Sequence, residues 1–132
     1  MRDCPGQRRA AAVVELAIVL PFLLFLFFVT VDYSRVFYFS QIISNCARNG
    51  ALYGSNLVTA QSPYTSIKEA ALADATNLRP QPKVTSTRGT DADGNPYVRV
   101  TVAWDFHTIA DFPGVPATVT LRRSSQMRVA KK

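Results

Sequence analysis

From Ala10 to Val31 the chain reads AAAVVELAIVLPFLLFLFFVTV, 22 residues with a single ionisable side chain, Glu15, and a single proline, Pro21. At about 1.5 Å of rise per residue a helix of that length crosses a hydrocarbon layer of about 30 Å. The helical pattern continues past the greasy run. Val36, Phe39, Ile43 and then Cys46 or Ala47 recur at helical spacing without an intervening proline, so one helix is predicted to extend to about Tyr53. Gly54, Ser55 and Asn56 supply its stop signal. Tyr33, Phe37, Tyr38 and Phe39 fall where such a helix leaves a bilayer, the position of an interfacial aromatic belt.

A second, shorter helix is predicted in SPYTSIKEAALADATNL, with Ser62 as cap, Pro63 in the first helical position, and a thin apolar stripe of Ile67, Ala71 and Leu78. A stripe that thin needs a sheet to lie on. After the linker Arg79–Pro82 the period changes to two. Val98, Val100, Val102, Trp104 and Phe106 alternate with Arg99, Thr101, Ala103 and Asp105, the signature of a half-buried strand. A shorter strand over Lys83–Arg88 precedes it across GTDADGNP, and a third runs from Ala117 to about Arg128. The fold class is therefore α+β: a long N-terminal transmembrane helix that extends outside the bilayer, then a short helix on a small antiparallel sheet of about three strands. The expected organisation is a basic cytoplasmic leader over 1–10, the transmembrane helix over 11–31, its extension over 32–54, and a small extracytoplasmic domain over 55–132.

Charge sets the orientation. Arg2, Arg8 and Arg9 against Asp3 give the flank before the apolar run a positive excess, which keeps it in the cytoplasm and sends the C-terminal body outside. A cleaved secretory signal shares the basic start, but this run exceeds an h-region of about 7–15 residues and ends in VDYSRVFYF without a small-x-small cleavage site. In that topology Cys4 and Cys46 face different compartments, so Cys46 reads as a small buried apolar residue. The net charge of +6 is scattered, concentrating only in Arg122, Arg123, Arg128, Lys131 and Lys132. Such a pattern describes a solvated, weakly anion-attracting face, and no specific nucleic-acid partner is expected.

Glu15 carries the most information, because an acid at the centre of a membrane helix costs about 2.5–3.5 kcal/mol. It either snorkels from its place about 7 Å inside the start of the run or meets a positive group on a neighbouring subunit, which would set axial register during assembly. Pro21 has no N–H for the carbonyl of Ala17, so the helix is expected to kink or loosen there, either as a tolerated membrane proline or to let subunits pack. Ala47, Gly50, Ala51 and Gly54 form a small-residue face suited equally to another helix and to the chain's own sheet. Asp91, Asp93, Gly94 and Asn95 lack the spacing and terminal glutamate of an EF-hand and read as a turn between strands. The one histidine, His107, has no nucleophile or acid placed beside it by the sequence. Neither an enzyme, a metal site nor a cofactor is expected.

The first 55 or so residues resemble the N-terminal region of TadE-like proteins, the minor pilins or pseudopilins of the tight-adherence (Flp) pilus system. The resemblance is carried by Arg8-Arg9, the small apolar residues Ala11 to Val14, Glu15, Leu20-Pro21, Asp32-Tyr33 with Arg35, and Ala47-Arg48-Asn49-Gly50-Ala51. It implies a prepilin-type peptidase cut between Ala10 and Ala11, making Glu15 the fifth mature residue, although the family usually has glycine where this chain has Ala10. It also implies a single-pass protein of the inner membrane, joining or priming a Tad/Flp type IV pilus that supports adhesion and surface colonisation. The implied partners are the major pilin, a sister minor pilin, the prepilin peptidase, the inner-membrane assembly platform and the lipid bilayer. A tethered module whose basic sheet binds polysaccharide or nucleic acid is the alternative from the residues alone.

Overall fold

A computed structural model describes residues 5–56, 62–109 and 116–130, with only the backbone for 5–10. Cys4, Lys131, Lys132 and the side chains of Arg8, Arg9 and Ala10 lie outside the described residues. Helix α1 spans Pro5–Gly54 and is followed by helix α2, Ile67–Leu72, and three strands, β1 Lys83–Thr90, β2 Pro96–His107 and β3 Thr118–Arg128. The strands form one antiparallel sheet in the order β1-β2-β3. The fold is α+β, with a long apolar N-terminal helix, a short helix and a three-stranded sheet.

Alternation in β2 sets the core. Val98, Val100, Val102 and Phe106 are fully buried and Trp104 nearly so, all on the face that receives α1 and α2. From α1 come Ile43, Cys46, Ala47 and Ala51, one stripe at helical spacing. Phe39 joins them, its ring 5.0 Å from Trp104 and 5.8 Å from Phe106. It therefore belongs to the sheet packing, as its place on the 36, 39, 43 stripe indicated, and not to the interfacial aromatic belt with which the sequence also grouped it. Tyr33, Phe37 and Tyr38 do remain exposed.

Both ends of α1's packed half are tied. Beyond Gly54 the chain turns through Asn56 at φ 63°, the left-handed conformation of a helix stop, and Ser55 sends its amide to the carbonyl of Ala51. The carbonyl of Ser55 then accepts the amide of Ala130, fastening the end of the chain to the end of the helix. The helix runs uninterrupted through Pro21.

Helix α2 is shorter and starts later than the sequence pattern indicated. Ser66, not Ser62, is its cap: the Ser66 hydroxyl accepts the Glu69 amide at 3.2 Å, while Glu69 accepts from the amide and hydroxyl of Thr65 at 2.8 and 2.6 Å. Ser62 instead accepts the amide of Tyr64 in a local turn. After Leu72 two short turns, Ala75 to Leu72 and Leu78 to Ala75, keep Ala75 and Leu78 buried without continuing the helix.

Candidate functional site

Helix α1 divides at about residue 31 into halves with opposite surroundings. Residues 11–30 are exposed throughout, although they include Leu16, Ile18, Phe22, Leu23 and Phe27. No soluble protein gains by leaving so much contiguous apolar surface in water. The helix is long and apolar enough to cross a membrane. Its hydroxyls are compatible with that setting: Thr30 donates to the carbonyl of Leu26 at 2.7 Å and Ser34 to that of Thr30 at 2.8 Å, so both are satisfied within the helix.

Glu15 lies on this uncovered half, one turn in from Ala11. Among the described residues no cation is within ion-pair distance of it. Pro21 is near the middle of the same half, also exposed.

The second half carries the body. The small residues Ala47, Gly50, Ala51 and Gly54 all point into it. A β-carbon on Gly50 would meet Ala71 Cβ and Val100 Cγ1 at 3.0 Å each, and one on Gly54 would meet Val98 Cγ2 at 3.0 Å. This small-residue face is thus occupied by the chain's own α2 and β2. Cys46, fully buried beside it, has its thiol pushed up to about 11 by burial, with the nearby charge of Asp74 adding to the effect.

Where the halves meet stands a cluster whose members Asp32 and Arg35 the resemblance had marked, but whose contacts the sequence pattern did not indicate. Asp32 lies one turn below Val36 on the body-facing stripe and is buried. Its carboxylate accepts the Ile109 amide at 3.1 and 3.2 Å and pairs with the Arg35 guanidinium at 3.0 Å. Arg35 in turn lies over the Phe106 ring, 4.9 Å from its centroid. A loop 77 residues distant is thereby fixed to the helix at the level where the apolar half begins. The hint available in the sequence was positional: Asp32 continues the 36, 39, 43 stripe backwards by one helical turn.

The remaining candidates are structural in their surroundings. Asp91 accepts the amides of Asp93 and Asn95 through one oxygen and faces Arg128 through the other at 3.4 Å, closing the β1–β2 turn with Gly94 at φ 77°. His107 shares a 3.2 Å hydrogen bond with Thr118 at an exposed strand end. On the outer sheet face Arg99 is engaged by Gln126 and the Tyr97 ring, and Asp105 by Thr120. Among the described residues no group of three or more potential metal ligands comes together.

Fold and site together define a class: a single long helix, apolar and uncovered at its N-terminal half, with a small α+β body built around its C-terminal half. Residues 10–52, which span both halves, match the family described as TadE-like protein. Over that third of the chain the protein is similar to TadE-like proteins. No curated protein matches the chain. No solved structure matches it either.

Proposed function

We propose that this protein is a TadE-like minor pilin or pseudopilin, a non-enzymatic component in assembly of a Tad/Flp type IV pilus that supports adhesion and surface colonisation. In this reading residues 11–31 span the inner membrane, Arg8 and Arg9 hold the N-terminus in the cytoplasm, and the body from residue 32 onwards is extracytoplasmic. The observation that carries it is the coincidence of the TadE-like match with an apolar half-helix that none of the described residues covers and that holds one acid. Lipid covers such a surface before assembly, and neighbouring pilin helices cover it afterwards.

Glu15 then acts as the register residue. A carboxylate among apolar helices needs a positive partner. If a prepilin peptidase cuts between Ala10 and Ala11, the new α-amine of a neighbour's Ala11 supplies it. In an uncut chain Arg8 or Arg9 of the neighbour takes that role. Pro21 leaves the carbonyl of Ala17 without its helical donor and makes that turn the easiest to loosen as subunits pack. Partners in this scheme are the major pilin, a sister minor pilin, the peptidase and the inner-membrane assembly platform.

The test is intact mass and N-terminal sequence of the protein recovered separately from membranes and from sheared surface material, for the native chain and for Glu15→Ala. The reading expects the chain in sheared surface material as well as in membranes, beginning at Ala11 if the peptidase cuts and full length if it does not, and a Glu15→Ala protein that reaches the membrane in normal amount but does not support pilus assembly. Normal assembly by Glu15→Ala would remove the register role. A full-length chain confined to membranes, whose loss leaves piliation intact, would favour a tethered binding module.

A further inference from the structure

Among the described residues, the exposed large hydrophobic side chains outside the run 13–29 are Tyr33, Phe37, Tyr38 and Ile109, at 74, 61, 57 and 61% exposure. They are not scattered over the body. Three follow the apolar half of α1 directly, and the fourth is brought to the same level by the hydrogen bonds of its amide to Asp32. At about 1.5 Å per residue, positions 32 to 38 occupy about 9 Å of helix axis.

The four also divide around the helix. Asp32, Phe39 and Ile43 mark the side that faces the sheet. At about 100° per residue, Phe37 and Tyr38 project away from the body, one to each flank, and Tyr33 projects sideways beside Phe37, whereas Ile109 sits on the body side beside Asp32. Apolar surface therefore lies on both sides of the helix at its exit. An open groove of about 360 Å³ along Phe27, Thr30, Ser34, Arg35 and Tyr38 carries it without a break across the level of Asp32.

We propose that the body is seated directly on the bilayer, with Ile109 and the Tyr33–Phe37–Tyr38 collar in the headgroup layer of the leaflet from which the helix emerges. The proposal rests on the reading of residues 11–31 as a membrane span. Its occupant is lipid, because the collar is continuous with the span. Tyrosine is also suited to a layer that is apolar on one side and wet on the other. Helix 32–54 is not a free stalk, since its stripe is buried in the body, so the depth of the helix fixes the depth of the body. The contact between Asp32 and Ile109 holds the apolar residue of the loop at that depth without leaving its amide unpaired.

The test uses the full chain with Cys4→Ser, reconstituted in vesicles of phosphatidylethanolamine and phosphatidylglycerol. Nitroxide labels are placed in turn at Leu23→Cys, Phe37→Cys, Ile109→Cys and Ser124→Cys, the last on the outer face of β3. Collision with oxygen is compared with collision with a water-soluble nickel chelate, and Trp104 emission checks the fold. The expected order is a lipid-like ratio at Leu23, intermediate ratios at Phe37 and Ile109, and a water-like ratio at Ser124. Tyr33→Cys gives a second collar reading if Ile109→Cys disturbs its loop. Water-like ratios at the collar with a lipid-like Leu23 would overturn the seat while leaving the span intact. Collar labels shielded from both probes, with spin–spin broadening that dilution by unlabelled chain removes, would overturn lipid in favour of a second copy. A water-like Leu23 would remove the span itself.

Discussion

Gly50→Ala is the sharpest test of how α1 meets the body. In an exposed helix this change is favourable by about 1 kcal/mol, because alanine loses less backbone entropy. Here the new methyl group meets Ala71 Cβ and Val100 Cγ1 at 3.0 Å and the Ile67 carbonyl oxygen at 3.4 Å. None of the three is the tip of a flexible side chain. Ala71 has no rotamer to change, Val100 is fully buried in the central strand, and the carbonyl belongs to the first turn of α2. Overpacking of this kind costs about 1–3 kcal/mol, so it outweighs the propensity gain and leaves a net destabilisation of about 1 kcal/mol. The assay is denaturant unfolding of the full chain in detergent at a dilution where it is monomeric, followed by emission of Trp104. That side chain is the only tryptophan, nearly buried against Phe39 with its indole N–H donating to the Pro80 carbonyl at 2.8 Å. A midpoint that falls in the monomer supports packing within the chain. A stabilisation of about 1 kcal/mol would refute the close approach. An unchanged monomer with weakened self-association would assign the small-residue face to contacts between chains.

Three further outcomes follow from the same geometry. Burial holds the Cys46 thiol near 11 against an ordinary value of 9.0, so between those pH values the unfolded chain releases a proton that the folded chain keeps. Stability should then fall with rising pH by up to about 1.4 kcal/mol per unit in that window. The difference in unfolding midpoint between the native chain and Cys46→Ala measures it, and parallel pH profiles would refute it. Asp32→Ala removes the acceptor of the Ile109 amide and the partner of Arg35, for an expected cost of about 1–3 kcal/mol. Amide exchange at Ile109 should speed up in that variant, and unchanged exchange would show that the carboxylate does not hold the loop. Glu69 is held below the usual carboxylate range by the Thr65 hydroxyl and amide, so its contribution is present at neutral pH and lost as pH falls through its lowered value. Amide exchange in Ile67–Leu72 should rise selectively in acid, and Glu69→Gln should blunt that rise.

Elements whose pattern is continuous in sequence were legible before the structure. The helix from the apolar run to Gly54, the alternation of β2 and the Asp-Gly turn each depend on residues within a few positions of one another. The start of α2 was not legible in that way. Ser62 and Ser66 are both competent caps, and Pro63 favours the earlier one. The choice falls to Ser66 because Glu69 is three residues on and reaches back to Thr65, a reciprocal arrangement that Ser62 lacks. Phe39 was assigned twice, to the apolar stripe and to the aromatic belt, and only the first assignment holds. Its neighbours Phe37 and Tyr38 are as aromatic as it is, and only the register of the stripe at 36, 39 and 43 directs it to Trp104 and Phe106. The bond between Asp32 and Ile109 joins residues 77 apart, and neither has a local signal for the other.

The division of α1 has a mechanical consequence. From Asp32 to Gly54 the helix forms one wall of the core, so this half cannot bend without disturbing Phe106, Val100 and Ile43, all fully buried. From Ala11 to Val31 no residue is buried, and Pro21 removes one backbone hydrogen bond from the middle of that half. Under the proposed passage from lipid to a packed assembly, any change in helix shape is therefore confined to the apolar half, and the body follows as a rigid load. Substitutions at Glu15 or Pro21 should accordingly leave the unfolding midpoint of the body untouched while altering association, because they share no contact with the core and distant sites add independently. A Pro21→Ala chain whose body unfolds at a different midpoint would show that strain does pass through Asp32, and the two halves would then have to be treated as one element.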